Sequence, residues 1–203
     1  MSTFDDIVQI VNDNVGGEAE RIRCDPRKWV WGCLHQRDRI AAVAEYCVER
    51  YAGDIIEIGC LHGGTTRYLG PIARKYNRRI VCVDPWPTKC PLINTDYGPD
   101  PFGQFSAAMQ EWWDLLDIIK AESQVASTVE LIKSRPLCFA FVDGMHTYGC
   151  ARVDIATVSH CAGVICVDDV LWEPGVKQAF LEGGASLGRQ AYHSELCREG
   201  WMV

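Results

Sequence analysis

Carboxylates follow two apolar runs of this sequence, and their placement is the strongest sign of chemistry. Asp143 follows the run CFAFV, and the adjacent pair Asp168 and Asp169 follows GVICV. Neighbouring carboxylates repel one another unless water, a cation or hydrogen-bond donors offset their charge. An open, oxygen-rich site is what Mg²⁺ or Mn²⁺ prefers. We therefore predict a divalent metal site at Asp143, Asp168 and Asp169, with an acid-lined pocket without metal as the alternative.

A glycine-rich stretch, EIGCLHGGTT, follows the first apolar strand of the pattern and begins at Glu57. Gly59 and Gly63 would let the backbone approach a ligand closely, and the following helix would offer free N–H groups. The spacing differs from the G-x-G-x-x-G of nicotinamide and flavin sites, which disfavours those cofactors. A tight turn followed by a threonine helix cap is the alternative.

Polar side chains also end two further strands of the pattern. Asp84 ends RIVCVD, and a carboxylate there can accept hydrogen bonds from both hydroxyls of a ribose. Glu122 and Ser123 end the predicted strand DIIKAES and could reach an adenine. Solvated side chains at strand ends are the alternative for all three residues.

Alternating strands and helices must position these residues. Five apolar strands, each followed by a helical segment or a polar loop, are succeeded by a tail, GRQAYHSELCREGWMV, that suggests a hairpin. Strands that are apolar throughout are typical of a parallel sheet covered on both faces. We predict an α/β fold, a Rossmann-like doubly wound, mostly parallel sheet of about seven strands with an antiparallel C-terminal hairpin. The carboxyl ends of parallel strands meet at one edge, so the candidate residues should converge there.

Composition bounds the class of protein. A length of 203 residues suits one domain of ordinary size. We place this domain at residues 36–203, after an N-terminal helical extension at residues 1–35. A net charge of −7 argues against a nucleic-acid partner, and no apolar run reaches the ~18 residues of a membrane span. The acidic start, MSTFDDIVQI, is unlike a signal peptide. We therefore expect a cytoplasmic protein. The eleven cysteines contain no C-x-x-C pair, which disfavours a disulfide framework or a zinc site.

Taken together, these motifs resemble the class I S-adenosylmethionine-dependent methyltransferases. EIGCLHGGTT is similar to the variant E-I-G-x-x-x-G-G-[ST]-T found in small-molecule methyltransferases. FVDGMHTYGCARVDI and AGVICVDDVLWEPGV resemble the branch of catechol, caffeoyl-coenzyme A and macrolide-sugar O-methyltransferases, and also the methyltransferase 24 group. The resemblance runs from about Ile56 to Val176, and neither terminal segment takes part in it.

The resemblance implies a role for each candidate residue. The methionine part of the cofactor would lie against Glu57, Gly59, Cys60, Gly63 and Thr65, the ribose at Asp84, and the adenine near Glu122 and Ser123. Asp143 would border the cofactor and, with Asp168 and Asp169, hold Mg²⁺ or Mn²⁺. His146 stands where the catechol-type enzymes have a catalytic lysine, and an imidazole can take a proton near neutral pH. A structural hydrogen bond is the alternative for His146.

The implied reaction is O-methylation of a small-molecule hydroxyl, on a phenol, a sugar or a natural-product intermediate, with His146 and Asp143 as catalytic residues. A metal-independent methyltransferase and a non-catalytic protein that binds a nucleotide cofactor are the alternatives. A nicotinamide-dependent oxidoreductase is disfavoured by the glycine spacing and by the lack of a Tyr-x-x-x-Lys pair. Because the chain after the fifth strand is short, a homo-oligomer could complete the substrate pocket.

Overall fold

The computed structural model describes residues 2–14, 34–90, 94–194 and 197–203. The helices in these ranges are α1 (Thr3–Asp13), α2 (Leu34–Arg50), α3 (Thr66–Tyr76), α4 (Pro101–Ala108), α5 (Ala126–Lys133), α6 (Tyr148–Thr157) and α7 (Pro174–Leu187), with a 3₁₀ helix at Gln110–Leu115. The strands are β1 (Asp54–Ile58), β2 (Ile80–Val83), β3 (Lys89–Cys90), β4 (Thr95–Asp96), β5 (Leu116–Ile119), β6 (Leu137–Val142), β7 (Val164–Val167), β8 (Ala191–His193) and β9 (Gly200–Met202).

One seven-stranded sheet organises the fold, in the order β5-β2-β1-β6-β7-β9-β8. The first five strands in that order are parallel, and β9 pairs antiparallel with both β7 and β8. The strand order reverses direction between β1 and β6, which is where open α/β sheets bind their ligands. The predicted Rossmann-like sheet with its antiparallel C-terminal hairpin is confirmed.

Helices cover both faces of the sheet. The side chains of each strand point alternately to the two faces, so each strand contributes to two apolar layers. Ile55 packs into the layer that includes residues of α1 to α4, and Ile56 packs into the layer of α5 to α7. Every residue of β6 is buried, as its position in the middle of the sheet requires. Burial on both faces explains why these strands read as continuous apolar runs.

Two boundaries differ from the sequence prediction. The third parallel strand ends at Ile119, so placing Glu122 and Ser123 at its end was wrong, and both lie in the turn before α5. The sequence QFSAAMQEWWDLL predicts one helix over Gln104–Leu116, but the structure divides these residues between α4 and the 3₁₀ helix, and Leu116 begins β5. Pro71 lies within α3, which continues without interruption to Tyr76.

The N-terminal helix packs on the main domain. Ile7 and Val11 of α1 are buried, and Tyr46 of α2 donates a hydrogen bond of 2.8 Å to Asp6. Residues 15–33 of the predicted extension lie outside the described residues. Among the residues that the structure describes, none of the helices combines the length and the apolar character that crossing a membrane requires.

Candidate functional site

The carboxyl ends of β1, β2, β6 and β7 bring most of the candidate residues to one edge. Backbone hydrogen bonds continue past the strand ends, from Asp143 N to Ile58 O at 2.8 Å and from Asp168 N to Val142 O at 2.9 Å. Gly59 has φ +91°, and a Cβ built there would lie 1.9 Å from the carbonyl oxygen of Asp143. A glycine is therefore required where the loop after β1 crosses the loop after β6.

Asp84 ties the glycine loop to the end of β2. Its Oδ2 accepts a hydrogen bond from Leu61 N at 2.9 Å, and its Oδ1 accepts one from Trp86 N at 2.5 Å. Burial raises the pKa of Asp84, although these backbone N–H groups act in the opposite direction. The carboxylate is thus directed toward the glycine loop, and a carboxylate with one hydrogen bond on each oxygen retains acceptor capacity.

Glu57 and Cys60 lie beneath the glycine loop. Thr66 donates a hydrogen bond of 2.6 Å to Oε2 of Glu57, and both Glu57 and Cys60 are buried. Burial raises the pKa of Glu57 to about 8. Thr65 precedes α3 without a capping hydrogen bond from its side chain. These contacts show how Glu57 fixes the start of α3 below the loop.

The predicted adenine contacts lie in the turn after β5. Glu122 is exposed and Ser123 is buried. Gln124 donates hydrogen bonds to Ser123 at 2.7 Å and to Oδ1 of Asp154 at 2.8 Å. Burial raises the pKa of Asp154 to about 6. Gln124 and Asp154, which were not singled out from the sequence, therefore belong to this corner of the site.

Asp143, His146 and Asp169 meet in one cluster. Nδ1 of His146 lies 2.9 Å from Oδ2 of Asp169, and Nε2 lies 3.4 Å from Oδ1 of Asp143. Asp143 is partly exposed, with 27% of its side chain accessible, whereas Asp169 is buried. His146 thus bridges a buried carboxylate and one that faces the open edge of the sheet.

The two carboxylates control the protonation of His146. Burial lowers the pKa of His146, but the hydrogen bonds and charges of Asp143 and Asp169 outweigh burial and raise it to about 11. Burial acts to raise the pKa of Asp169, and the hydrogen bond from His146 together with the charge of Arg198 lowers it overall. His146 is therefore an imidazolium at neutral pH in this arrangement.

Asp168 lies in a different set of contacts. Its Oδ1 accepts hydrogen bonds from Gln36 Nε2 at 2.7 Å, Arg198 Nε at 2.8 Å and the backbone N of Asp169 at 2.9 Å. Its Oδ2 accepts one from Nη2 of Arg198 at 2.6 Å, and the same nitrogen lies 2.7 Å from Oδ1 of Asp169. One guanidinium thus contacts both carboxylates of the adjacent pair.

This arrangement does not fit the predicted three-carboxylate metal site. Asp143, His146 and Asp169 offer ligand atoms that all lie within 4.8 Å of one another, and Asp168 is not part of that group. The Asp168 carboxylate is only 3% exposed and accepts from a guanidinium, so its oxygens are not directed at a shared ion. A cation held by Asp169 would also lie beside the positive charge of Arg198.

Arg198 and Gln36 are two further site residues that sequence reasoning missed, and one signal could have indicated Arg198. In the β7–β9 pair, Gly200 lies opposite Val167. Because β9 is antiparallel to β7, the residues before Gly200 lie beside the residues after Val167. A predicted terminal hairpin next to the fifth strand therefore places Arg198 near the carboxylate pair. No comparable signal exists for Gln36, at the start of α2.

The sequence also matches a known family. A family model described as a methyltransferase domain, of the methyltransferase 24 group, matches residues 56–170. The chain belongs to this methyltransferase family. The matched range includes the glycine loop, Asp84, Asp143 and the Asp168–Asp169 pair, so the resemblance inferred from these motifs is confirmed. No curated protein matches this methyltransferase by sequence.

Solved methyltransferases share its fold. The O-methyltransferase NovP aligns with a TM-score of 0.70 and 13% identity, over 99% of this chain and 98% of its own. CalS11, a TDP-rhamnose 3'-O-methyltransferase of calicheamicin biosynthesis, aligns with a TM-score of 0.62 and 13% identity, over 98% and 92%. The SAH-bound methyltransferase PaMTH1 of Podospora anserina aligns with a TM-score of 0.57 and 16% identity, over 98% and 94%. At these identities the likeness shows the fold.

Proposed function

We propose that this methyltransferase uses S-adenosylmethionine to methylate a hydroxyl of a small molecule, on a phenol, a sugar or a natural-product intermediate. One observation carries the proposal. The glycine loop, fastened to Asp84, lies directly against the loop that carries Asp143 and His146. This contact supports a cofactor site beside the Asp143 carboxylate, at one edge of the sheet. NovP and CalS11, which are O-methyltransferases by name, have the same fold.

The cofactor-binding part of the proposal rests on the loop after β1. We place the methionine end against Gly59, Gly63 and Thr65, with Glu57 and Cys60 shaping the loop from below. Asp84 would accept hydrogen bonds from the ribose hydroxyls with the acceptor capacity that Leu61 N and Trp86 N leave free. The adenine would lie near the turn that contains Glu122 and Ser123.

The catalytic part of the proposal rests on Asp143 and His146. S-adenosylmethionine, when bound, supplies a sulfonium methyl group that is already electrophilic. The acceptor oxygen forms the new O–C bond, the C–S bond breaks, and S-adenosylhomocysteine leaves. The Asp143 carboxylate, the partly exposed member of the cluster, takes the hydroxyl proton, and the positively charged His146, 3.4 Å away, holds that carboxylate in place. Holding the acceptor in line with the methyl group supplies much of the remaining acceleration.

The same reasoning sets the expected partners and location. We propose a cytoplasmic enzyme with a small-molecule acceptor and with neither a nucleic acid nor a membrane as partner. The net charge of −7 supports the exclusion of nucleic acid, since a polyanion would be repelled. We also propose that the enzyme forms a homo-oligomer.

An acceptor screen tests the proposal. The protein is incubated with methyl-deuterated S-adenosylmethionine and a panel of catechols, phenolic acids, nucleotide sugars and a metabolite extract, and products are detected by mass. We expect one acceptor to gain a single labelled methyl group while S-adenosylhomocysteine accumulates. If S-adenosylhomocysteine binds but nothing in the panel or the extract is methylated, the non-catalytic alternative is supported.

A further inference from the structure

The adjacent carboxylates at the end of β7 need a counter-charge, and the structure supplies it from the C-terminal hairpin. Asp168 and Asp169 are 3% and 5% exposed, so water alone does not offset their charges. Arg198 is only 11% exposed and presents Nε and Nη2 to the two oxygens of Asp168, as a two-pronged contact. Nη2 also lies 2.7 Å from Oδ1 of Asp169.

We propose that the Arg198 guanidinium takes the place of a divalent cation in this chain, and that the strand-end site works without a bound metal. This inference deepens the proposed function. The statement about the reaction rests on that function, whereas the statement about cation binding can be tested without a methyl acceptor. Both oxygens of Asp168 accept hydrogen bonds from the guanidinium, so Asp168 is not free for an ion, and an ion on Asp169 would lie beside the same positive charge.

Arg198 is held in place by contacts on several sides. Its carbonyl oxygen accepts a hydrogen bond from Leu171 N at 3.0 Å, and its guanidinium carbon lies 4.9 Å from the ring centroid of Trp172. The next residue, Glu199, is fully buried and pairs with Arg39 of α2 at 2.6 Å. The segment around Arg198 is therefore anchored to the turn after β7 and to α2, so the guanidinium is positioned by the fold itself.

The geometry makes Arg198 a positioning residue for the catalytic cluster. Arg198 contacts Asp169 through Oδ1, and Asp169 holds Nδ1 of His146 at 2.9 Å through Oδ2. His146 in turn lies next to Asp143. A divalent ion in such a site would serve both to offset the carboxylates and to order these side chains, and here the guanidinium provides both.

Manganese binding tests the inference directly. Mn²⁺ is titrated into the full-length protein by electron paramagnetic resonance and calorimetry, and S-adenosylhomocysteine binding is measured on the same sample. We expect the unmodified protein to show no saturable Mn²⁺ site. Arg198→Ala should bind Mn²⁺ at least about tenfold more tightly than the unmodified protein, because two carboxylates become available. Arg74→Ala, which removes an exposed ion pair with Asp114, is the control and should not gain binding.

Each outcome decides for or against the inference. A saturable Mn²⁺ site in the unmodified protein that is lost in Asp169→Asn would overturn it. A folded Arg198→Ala protein that gains no Mn²⁺ affinity would also overturn it. If Arg198→Ala folds only when Mn²⁺ is present, as judged by circular dichroism, the ion has replaced the guanidinium and the inference is supported. If this variant does not fold at all, the titration of the unmodified protein decides. If the unmodified protein does not bind S-adenosylhomocysteine, that result counts against the proposed function and not against the inference about Arg198.

Discussion

The backbone N–H of Leu61 donates a 2.9 Å hydrogen bond to Oδ2 of Asp84, and this bond joins the glycine loop to the end of β2. Trp86 reinforces the connection by donating from Nε1 to the carbonyl oxygen of Leu61 at 2.7 Å. Leu61 and Trp86 have φ of +43° and +47°, a region that costs free energy for a residue with a side chain. The shape of the loop therefore depends on the carboxylate of Asp84.

Replacing Asp84 should weaken cofactor binding. Asp84→Asn turns one acceptor oxygen into a donor, so the variant cannot accept from both backbone N–H groups and a ribose hydroxyl. A lost hydrogen bond to a charged group is worth about 1.5–3 kcal/mol, which corresponds to an affinity about 10–100-fold lower. Calorimetry with S-adenosylhomocysteine measures the change. Asp114→Asn, at an exposed carboxylate, is the control, and equal affinities of the two variants would contradict the assignment.

Two glycine substitutions should have opposite effects on stability. Gly59→Ala should destabilise the protein by several kcal/mol, since φ is +91° and the new Cβ would overlap the carbonyl oxygen of Asp143. Gly149→Ala in α6 meets no atom within 4 Å and should stabilise by about 0.5–1 kcal/mol. Urea unfolding measures both. A Gly59→Ala protein as stable as the unmodified one would show that the two loops do not cross as described.

Glu57 should make stability decrease as pH rises. Its folded-state pKa of about 8 lies above the ordinary value of 4.5, so the folded state binds more protons between these values. The contribution of Glu57 to the free energy of unfolding is fully present below pH 4.5. It is lost as pH rises to about 8, at up to about 1.4 kcal/mol per pH unit. The charges of Asp143 and Asp84 add to this effect, and Arg37 opposes it.

Glu57→Gln isolates that dependence. The amide keeps an oxygen that can accept from Thr66 but cannot ionise. The variant should resemble the unmodified protein near pH 5 and be the more stable of the two near pH 8, by urea unfolding at a series of pH values. The difference between the two proteins also cancels the titration of other buried groups, such as Asp154. A difference that is constant across the series would mean that Glu57 is ionised throughout.

Much of the fold could be predicted because the strands lie inside the sheet. The run LCFAFV is apolar at every position since both faces of β6 are covered, and Asp143 marks the point where burial ends. Because β6 and β7 pair with Val142 opposite Val167, Asp143 and Asp168 follow the ends of neighbouring strands. The same pattern could not show that β5 ends at Ile119, because the residues that follow it are compatible with either a strand or a turn.

The direction of the site's side chains could not be read from strand ends alone. Asp168 and Asp169 are adjacent in sequence, yet Asp168 turns toward Gln36 and Arg198 whereas Asp169 reaches His146. Asp169 adopts φ +57°, which allows this divergence and is a conformation that aspartate tolerates. The partners come from α2 and from the C-terminal hairpin, so only the folded chain decides which carboxylate meets which cation.

His146 should matter for turnover more than for cofactor binding. His146→Gln removes a group that bridges Asp143 and Asp169, and loss of a group that assists proton transfer lowers kcat by about 10²–10⁴-fold. The affinity for S-adenosylhomocysteine should stay within about twofold of the unmodified protein. His160→Gln is the control, since His160 is exposed and contacts the carbonyl oxygen of Arg135. If both variants turn over at the same rate, His146 has only a structural role.

Calorimetric titration of the unmodified protein with S-adenosylhomocysteine, and separately with NADH, tests the central claim most directly. A glycine loop fastened to Asp84 beside Asp143 should bind S-adenosylhomocysteine saturably, one molecule per chain, and should not bind NADH. Saturable binding of NADH without binding of S-adenosylhomocysteine would contradict the account, because the loop would then serve a nicotinamide cofactor.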